Sequence, residues 1–296
     1  MGRDGGDEAM AGEERPDKLS GKEPEPLGQE TPDIVDDASK IGAKRLQRPI
    51  AGDAITAFSG GMSVSFGAVA MVFAAASVGG GIESPSVGLL VGALAFPIGF
   101  IILLVGKSEL FTENFLLPVA GVLKHRGTLR QLGLLWGVSL AFNLLGALVF
   151  ALLISRGDVV PDPAAAEMIA LAQHSVNYDL WTAFIKALFA GWLMTVLTWL
   201  LVSAQGLGPR IVVIWVVATL IVLGQFNHVI ISAAEIFMAM FLGAEIGVGE
   251  WATANFLPAL IGNLAGGLIF ETLLQYVQAQ YHEPESDSGS KGMKTP

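Results

Sequence analysis

Cysteine is absent from the 296 residues, and charged residues make up only 15% of them. The first absence excludes disulfide bonds and every cysteine-based zinc or iron–sulfur site. The second separates the chain from soluble domains, in which about a quarter of the residues are charged. Apolar residues account for 52% of the sequence and the mean hydropathy is +0.59. This composition is typical of a chain solvated largely by lipid.

The acidic charge is concentrated in the first 49 residues, which contain twelve acidic and eight basic side chains. The same stretch is rich in Gly, Pro, Glu and Asp, and such a composition buries too little apolar surface to fold. We therefore expect a disordered acidic cytoplasmic tail over 1–49, a transmembrane domain over 50–280 and a second cytoplasmic tail over 281–296. The first tail has no apolar core of the kind found in secretory signal peptides.

Long apolar segments follow the tail, and a membrane helix needs about 20 mostly apolar residues. Segments of that kind cover 50–78, 86–123, 128–154, 181–204, 209–243 and 252–280. Eight Lys and Arg residues fall in the tail and in the even-numbered loops, against Arg156 alone on the opposite side. The positive-inside rule then places both termini in the cytoplasm, and we expect a multi-pass protein of the cytoplasmic (inner) membrane.

The second and fifth segments are too polar in the middle to be simple spans. The second contains the cluster Gly106–Asn114, and the fifth contains Gly224–His228 followed by Ser232. Ionisable groups at bilayer depth cost several kcal/mol each, so a continuous lipid-facing helix would not tolerate these clusters. We interpret both segments as broken helices whose interruptions line a polar cavity.

A repeat relates the two halves of the membrane domain. Asn, Leu, Gly, Leu and Phe recur at identical spacing in Phe142–Phe150 and Gly262–Phe270, 120 residues apart. The same offset carries Ser108 in the second segment onto His228 in the fifth. Two copies of a three-span unit must have opposite orientations in the membrane. Inverted repeats with paired broken helices place a substrate site near the midplane.

The run Ser108–Asn114, in a broken second helix, resembles the formate/nitrite transporter family. The Asn143/Gly146 pair, the Gly262-Asn263 pair and the Phe226–His228 break share this resemblance, which covers about residues 50–280. It implies an all-α polytopic membrane protein with six transmembrane helices in an aquaporin-like inverted 3+3 repeat. It also implies a homopentamer with one pore per protomer and passage of small monovalent acids such as formate or nitrite.

The resemblance also implies roles for individual residues. By motif position, Thr112 belongs to the loop in the broken second helix, and His228 is the central histidine of the pore. The candidate constriction residues are apolar side chains along the same path: Phe96, Phe100, Leu110, Phe111 and, at an opposing constriction, Ile221. The candidate pore and substrate-path residues are polar: His228, Lys107, Asn227, Thr112, Ser232 and Glu109.

Four positions depart from the family pattern. Lys107 replaces a Gly before the loop, Asn227 a Glu before the histidine, Ser232 an Asn four residues after it, and Trp192 an Asn of the fourth helix. These changes affect the hydrogen bonds of the histidine and the charge of the pore. They therefore bear on the substrate rather than on the fold.

His228 is the histidine expected at bilayer depth, whereas His125, His174 and His282 fall in loops or in a tail. An ionisable residue inside a membrane indicates function, although an interhelical hydrogen bond is the simpler alternative. Imidazole exchanges protons near neutral pH. An anion that gains a proton near His228 would cross the apolar rings as a neutral acid and avoid carrying bare charge through a low dielectric.

Lys107 has two interpretations. It adds positive charge to the N-terminal ends of half-helices and attracts anions, or it pairs with Glu109, Glu113 or Glu235 and is silent or blocks the pore. We interpret Glu109 as a cap or hydrogen-bond partner of the broken helix. Glu235, one turn past Ser232, is interpreted as structural.

The sequence thus favours a passive or proton-linked channel or transporter for small monovalent anions or their neutral acids. We expect no cofactor and no metal, a lipid bilayer as solvent, and no enzymatic activity, because no catalytic triad, metal cluster or nucleic-acid patch is found. Two alternatives remain open. One is a non-conducting membrane scaffold or sensor with the same fold, and the other is a pore for a different small solute.

Overall fold

The computed structural model describes residues 28–79, 81 and 86–282, and the regular elements of this part of the chain are all helical. Residues 1–27 and 283–296, which form most of the two predicted tails at 1–49 and 281–296, lie outside the described residues. In chain order the α-helices are α1 (Thr31–Leu46), α2 (Ile50–Ser77), α3 (Val87–Ala95), α4 (Pro97–Val105), α5 (Leu117–Leu123), α6 (Leu129–Ile154), α7 (Asp162–Val176), α8 (Leu180–Ser203), α9 (Leu207–Leu223), α10 (Val229–Phe241), α11 (Val248–Glu250), α12 (Leu257–Gly267) and α13 (Leu274–His282). A 3-10 turn (Phe111–Phe115) precedes α5. One π-helical turn (Trp251–Phe256) lies between α11 and α12, and another (Leu268–Leu273) lies between α12 and α13.

The predicted polytopic all-α fold is confirmed. Within the described residues, five helical stretches are long and apolar enough to cross a membrane: Ile50–Ser77, Val87–Val105, Leu129–Ile154, Leu180–Ser203 and Val248–Tyr281. The fifth predicted segment is divided between the shorter helices α9 and α10. The second predicted segment is likewise interrupted after α4. Both breaks fall in the polar clusters that the sequence singles out.

The two halves repeat the same close helix packing. An added Cβ at Gly61 in α2 would overlap the carbonyl of Asn143 in α6, and one at Gly191 in α8 would overlap the carbonyl of Asn263 in α12. Backbones that approach this closely leave room only for glycine. The helix pair α2 and α6 in the first half therefore corresponds to α8 and α12 in the second.

Helix α1 corrects the expected disordered tail, since Thr31–Leu46 is helical and packs on the membrane domain. Its Ile34, Val35 and Ala38 are buried in a cluster with Leu117 of α5. These apolar residues recur at helical spacing and form one face of an amphipathic helix. The prediction of disorder was wrong for this segment because it used the average composition of 49 residues. That average hides a periodic pattern only 16 residues long.

Helix α7 is a second element that the search for long apolar segments misses. It lies between the third and fourth spans, and its buried residues Ala164, Met168, Ala172 and Val176 recur every four positions. This face packs against α2 and α10. His174, which we expected in a loop, is part of this helix. An amphipathic helix of 15 residues is too short and too polar to be found as a span.

Gly42 tests the packing of α1. An added Cβ would overlap the backbone carbonyl of Leu117, whereas a Cβ at Gly208 in α9 meets nothing within 4 Å. Gly42→Ala should therefore move α1 and destabilise the protein, since overpacking typically costs about 1–3 kcal/mol. The matched variant Gly208→Ala should be neutral or gain about 0.5–1 kcal/mol from its lower chain entropy. Equal melting temperatures for the two variants in detergent would contradict the docking of α1.

Candidate functional site

Helices α4 and α9 end in the same way. The residues after their last glycines, Lys107 and Gln225, have positive φ angles of 64° and 48°. The next amide returns to the last turn in each case: Ser108 N donates to Leu103 O, and Phe226 N donates to Ile221 O, both at 3.0 Å. This is the Schellman arrangement, whose left-handed residue is usually Gly.

The chain after the first break is held by Asn143 of α6, whose side chain is fully buried. Its Nδ2 donates to the carbonyl oxygens of Ala57 at 2.6 Å and Glu109 at 2.9 Å, and its Oδ1 accepts from the amide of Phe111 at 2.7 Å. One amide side chain thus supplies partners to two backbone groups of the break, the Glu109 carbonyl and the Phe111 amide, and also bonds to the Ala57 carbonyl of α2. Such groups would otherwise be unpaired inside the membrane domain.

The chain after the second break is held identically by Asn263 of α12. Its Nδ2 donates to the carbonyl oxygens of Ala187 at 2.8 Å and Asn227 at 2.9 Å, and its Oδ1 accepts from the amide of Val229 at 2.9 Å. The sequence repeat identifies both asparagines, and the hydrogen bonds explain why asparagine occupies both positions. A side chain needs both a double donor and an acceptor to do this.

These hydrogen bonds also correct the alignment of the two breaks. Glu109 and Asn227 both offer a carbonyl to the asparagine, so Leu110 rather than Ser108 is equivalent to His228. Glu109 precedes its asparagine by 34 residues and Asn227 precedes its own by 36. The chain between the break and the asparagine is therefore two residues longer in the second half. The offset of 120 residues between the motifs of α6 and α12 does not apply at the breaks.

His228 caps the N-terminus of α10 and is only 1% exposed. Its Nδ1 accepts from the amides of Ile230 and Ile231 at 3.3 Å, and its Nε2 lies 2.8 Å from Thr112 Oγ1. Because Nδ1 accepts, the neutral ring carries its proton on Nε2 and donates it to the Thr112 hydroxyl oxygen. Thr112 belongs to the first break and His228 to the second, so the two breaks meet at this hydrogen bond.

A cavity of about 70 Å³ lies beside His228, and we call it the histidine cavity. Asn227, Ser232 and Glu235 contribute to it from the second break and α10, and His174 contributes from α7. Its apolar lining includes both Phe96 and Ile221. Phe96 and Ile221, which we expected at opposing constrictions, thus line the same cavity. The residue equivalent to Ile221 at the first break is Leu103.

A larger cavity of about 670 Å³ lies at the opposite end of the protein, and we call it the arginine cavity. It is bounded by α1 and by the ends of α4, α8 and α9. Four cationic residues line it, together with two acidic residues: Arg45, Arg48, Lys107, Arg210, Glu109 and Glu113. The histidine cavity has neither Lys nor Arg in its lining. The two ends of the path thus differ in charge.

Arg45 in the last turn of α1 and Arg48 just after it form ion pairs with Glu109 and Glu113 of the first break. Arg48 Nη2 lies 2.7 Å from Glu109 Oε1, and Arg45 Nε lies 3.3 Å from the same oxygen. Arg45 also pairs with Glu113 at 3.4 Å and donates to Asn114 Oδ1 at 2.8 Å. Both arginines fall in the stretch predicted to be a disordered tail, so the sequence pattern gave no sign of their contact with the break.

The structure leaves the Lys107 ammonium available to a solute. Its side chain is exposed in the arginine cavity, and within the described part of the chain it forms no ion pair. Glu109 and Glu113 are paired with the arginines, and Glu235 lies in the other cavity. The interpretation of Lys107 as a paired plug is therefore wrong.

Apolar side chains separate the two cavities. Along α3 and α4, Phe96 lines the histidine cavity and Leu104 lines the arginine cavity, with Phe100 and Leu103 between them and fully buried. The Phe100 ring lies 5.7 Å from that of Phe96 and 6.4 Å, edge-on, from that of His228. The predicted constriction residues Phe96 and Phe100 thus lie in an apolar region between the two cavities.

Not every candidate residue reaches this path. Leu110 is fully buried and lines neither cavity. Phe111 also lines neither, because its ring packs edge-to-face on Phe115 at 5.0 Å and Trp136 at 6.4 Å. Trp192 donates its Nε1 hydrogen to Glu271 at 3.2 Å and is likewise outside both cavities. The departure from the family pattern at Trp192 therefore does not obstruct the path.

The two asparagines provide a test of this architecture. Asn143→Ala and Asn263→Ala each leave one buried amide and one carbonyl of a break without their partner, at about 1–3 kcal/mol for each lost group. Both variants should melt well below the unaltered protein or fail to assemble. Asn177→Ala removes a hydrogen bond from an exposed loop and should change little. Equal melting temperatures for all three variants would show that the asparagines do not hold the breaks.

Comparison with known proteins agrees with this architecture. The formate/nitrite transporter family model matches residues 32–277. An uncharacterized transporter of Bacillus subtilis, YrhG, is 28% identical over 266 residues, covering 88% of this chain and 96% of its own. A probable formate transporter of Methanothermobacter thermautotrophicus is 26% identical over 261 residues, covering 82% of this chain and 94% of its own.

Solved structures share the fold. A chain described as an FNT family ion channel superposes with a TM-score of 0.75 at 20% identity, over 85% of this chain and 99% of its own. A pentameric formate channel with formate bound gives a TM-score of 0.66 at 22% identity, over 78% of this chain and 98% of its own. The family match extends from the start of α1 into α13, and the chain therefore belongs to the formate/nitrite transporter family.

Proposed function

We propose that the protein passes small monovalent anions of the formate and nitrite type across the cytoplasmic membrane as their neutral acids, in a proton-linked manner. As a member of its family it is a channel or transporter for small anions. One observation supports the proton-linked form most strongly. A cationic cavity and a cavity without Lys or Arg lie on either side of the point where Thr112 and His228 join the two breaks.

The arginine cavity is suited to receive the anion. Its cationic residues outnumber its acids by four to two, and the acids are already paired with Arg45 and Arg48. Lys107 and Arg210 then supply the excess positive charge. A lining of one sign raises the local concentration of the opposite ion.

The constriction favours the neutral acid. A bare charge among Phe100, Leu103 and Phe96 would lose its solvation without compensation, so the solute takes up a proton from solvent before it crosses. Thr112 is fully buried and lines neither cavity, so it meets the solute only between them. Its oxygen accepts from His228, which leaves its own hydroxyl hydrogen to donate to the solute there. His228 acts in this account by fixing the direction in which Thr112 donates.

We further propose a homopentamer with both termini in the cytoplasm, so that the arginine cavity faces the cytoplasm. The positive-inside distribution of Lys and Arg supports the orientation. The pentameric formate channel with the same fold supports the assembly. The outward faces of the spans carry exposed apolar residues such as Leu145 and Ile269, which suit lipid or a neighbouring protomer.

The hydrogen bond between Thr112 and His228 tests the proposal. Thr112→Val keeps the shape but removes the hydroxyl. A hydrogen bond between neutral groups is worth about 0.5–1.5 kcal/mol, so formate uptake by proteoliposomes should fall roughly twofold to tenfold. Thr112→Ser should retain uptake. His228→Phe should abolish uptake, and His228→Asn should do the same, although Asn is also a good helix N-cap. Size exclusion checks that each variant keeps its oligomer.

Two results would contradict the proposal. Normal uptake by Thr112→Val would remove the hydrogen-bonded pair from the path. Failure of the unaltered protein to transport each of formate, nitrite, acetate, lactate and hydrosulfide would favour the non-conducting scaffold instead.

Lys107 tests the attraction of the anion. Lys107→Gly removes a cation from the arginine cavity and also relieves the left-handed backbone, which costs a residue with a Cβ about 1–2 kcal/mol. We expect a higher melting temperature together with a severalfold weaker apparent affinity for formate at low salt. Lys107→Gln removes the same charge but keeps the left-handed backbone. It should weaken the affinity as Lys107→Gly does, without raising the melting temperature. An affinity unchanged from that of the unaltered protein in both variants would remove Lys107 from the path.

A further inference from the structure

Three polar residues of α10 point to a function beyond the contact with Thr112. His228, Ser232 and Glu235 are spaced by four and by three residues, so they follow one face of the helix. All three line the histidine cavity. Ser232 Oγ donates to Asn255 Oδ1 at 2.9 Å, so the Ser232 hydroxyl has a hydrogen-bond partner within the protein. Glu235 remains to be explained.

Glu235 does not fit its interpretation as a structural residue. It is 9% exposed, yet within the described residues it makes neither a hydrogen bond nor an ion pair. The other buried glutamates of the described chain have partners: Glu109 and Glu113 bind arginines, and Glu271 accepts from Trp192 and Gln275. An unpaired carboxylate in a membrane protein is costly unless it carries a proton or faces a solute path.

The helices packed on α10 bring no cation to Glu235. Asp53 of α2 pairs with Arg48 near the arginine cavity, and Arg130 of α6 is likewise at the end away from the histidine cavity. Asp162 and Glu167 of α7 add only negative charge. The π-helical turn Trp251–Phe256 and α12 have no charged residue.

The remaining groups near the histidine cavity also leave Glu235 without a cation. His174 and Tyr178 line this cavity with it, on the side of α7. Lys186 of α8 binds the carbonyl oxygens of Gly224 and Gln225 and lies over the Tyr178 ring. A proton is therefore the natural counterion of Glu235.

Asn227 supplies a second, independent observation. Its side chain is 7% exposed and lines the same cavity, and both Nδ2 and Oδ1 are buried without a hydrogen-bond partner. A buried amide with both ends unpaired is rare unless a ligand completes it. Nδ2 offers a hydrogen and Oδ1 accepts one. A neutral carboxylic or nitrous acid has the matching acceptor and O–H donor, whereas its anion has acceptors alone.

We propose that Asn227 and Glu235 form a binding site in the histidine cavity for the neutral acid form of the solute, with Glu235 as its proton acceptor. This inference rests on the proposed function and names the residues and the form of the substrate that it involves. The cavity of about 70 Å³ suits acids of about three heavy atoms, such as formic or nitrous acid, better than lactic acid.

The proton balance of the site is simple. When the acid leaves toward this side, its O–H bond breaks and the proton forms an O–H bond with the Glu235 carboxylate. The anion departs to solvent, and Glu235 then releases the proton to solvent. Entry from this side reverses the sequence, with a protonated Glu235 supplying the proton to the arriving anion.

Glu235→Gln tests the inference, because glutamine has the same shape and cannot ionise. Initial rates of formate uptake into proteoliposomes are measured over a range of external pH and expressed per concentration of formic acid. For the unaltered protein this normalised rate should rise by up to tenfold per pH unit while Glu235 is protonated, because Glu235 then supplies the proton to the formate anion, and it should level off once Glu235 is ionised. The variant depends on formic acid alone and should lack this rise. Glu245→Gln removes an exposed carboxylate outside the cavity and should behave as the unaltered protein does.

A second measurement does not depend on transport. Infrared difference spectra of the purified protein should show the carbonyl band of a protonated carboxyl group, shifted when formate is added at low pH. This band should be absent from Glu235→Gln. Asn227→Leu should retain the band but lose its shift, since the amide no longer binds the acid.

The outcomes separate the inference from the proposed function. Transport by the unaltered protein, with coincident pH profiles for it and Glu235→Gln and no band assignable to Glu235, would overturn the inference alone. A formate-sensitive band in a protein that transports none of the tested anions would support the site and overturn the proposed function.

Discussion

The architecture depends on satisfying backbone hydrogen bonds where two helices are interrupted inside a membrane domain. A broken helix leaves amides and carbonyls without partners, and lipid offers none. Asn143 and Asn263 solve this problem identically, each with two hydrogen bonds to the chain that follows a break and a third to a carbonyl of the neighbouring helix α2 or α8. Close packing of α2 on α6 and of α8 on α12, through glycines, brings each asparagine within reach.

The functional geometry follows from the same constraint. Because both breaks are held at fixed positions, Thr112 and His228 meet at 2.8 Å and connect the two halves. The surroundings of the breaks then differ. Arg45 of α1 and Arg48, two residues after its end, lie beside the first, whereas the second opens into a cavity with Asn227 and Glu235. A symmetric scaffold thus carries an asymmetric distribution of charge along the path.

Much of this fold could be predicted from the sequence. Span length and polar interruptions identify the membrane helices and both breaks, and the repeated Asn and Gly residues identify the pairs that hold them. The match of Ser108 with His228 was wrong because it used the offset between α6 and α12. The connection from the break to the asparagine is two residues longer in the second half, so that offset does not hold at the breaks.

Other features were missed for different reasons. Helix α1 was hidden because acidic and glycine-rich residues dominate the composition around a short apolar face. Helix α7 was too short for a search based on span length, and the same error put His174 in a loop. Spacing along α10 placed Glu235 one turn past Ser232. Its lack of a partner depends on the side chains of other helices, and the sequence pattern does not contain that information.

We infer above all that the solute crosses the constriction as a neutral acid, with one proton for each anion. Formate uptake and internal pH can be measured together in proteoliposomes whose membrane potential is set with potassium and valinomycin. Each formate should carry one proton inward, and the initial rate should not change with the potential. Uptake without acidification, or a rate that rises steeply with a positive interior, would show instead that the bare anion crosses.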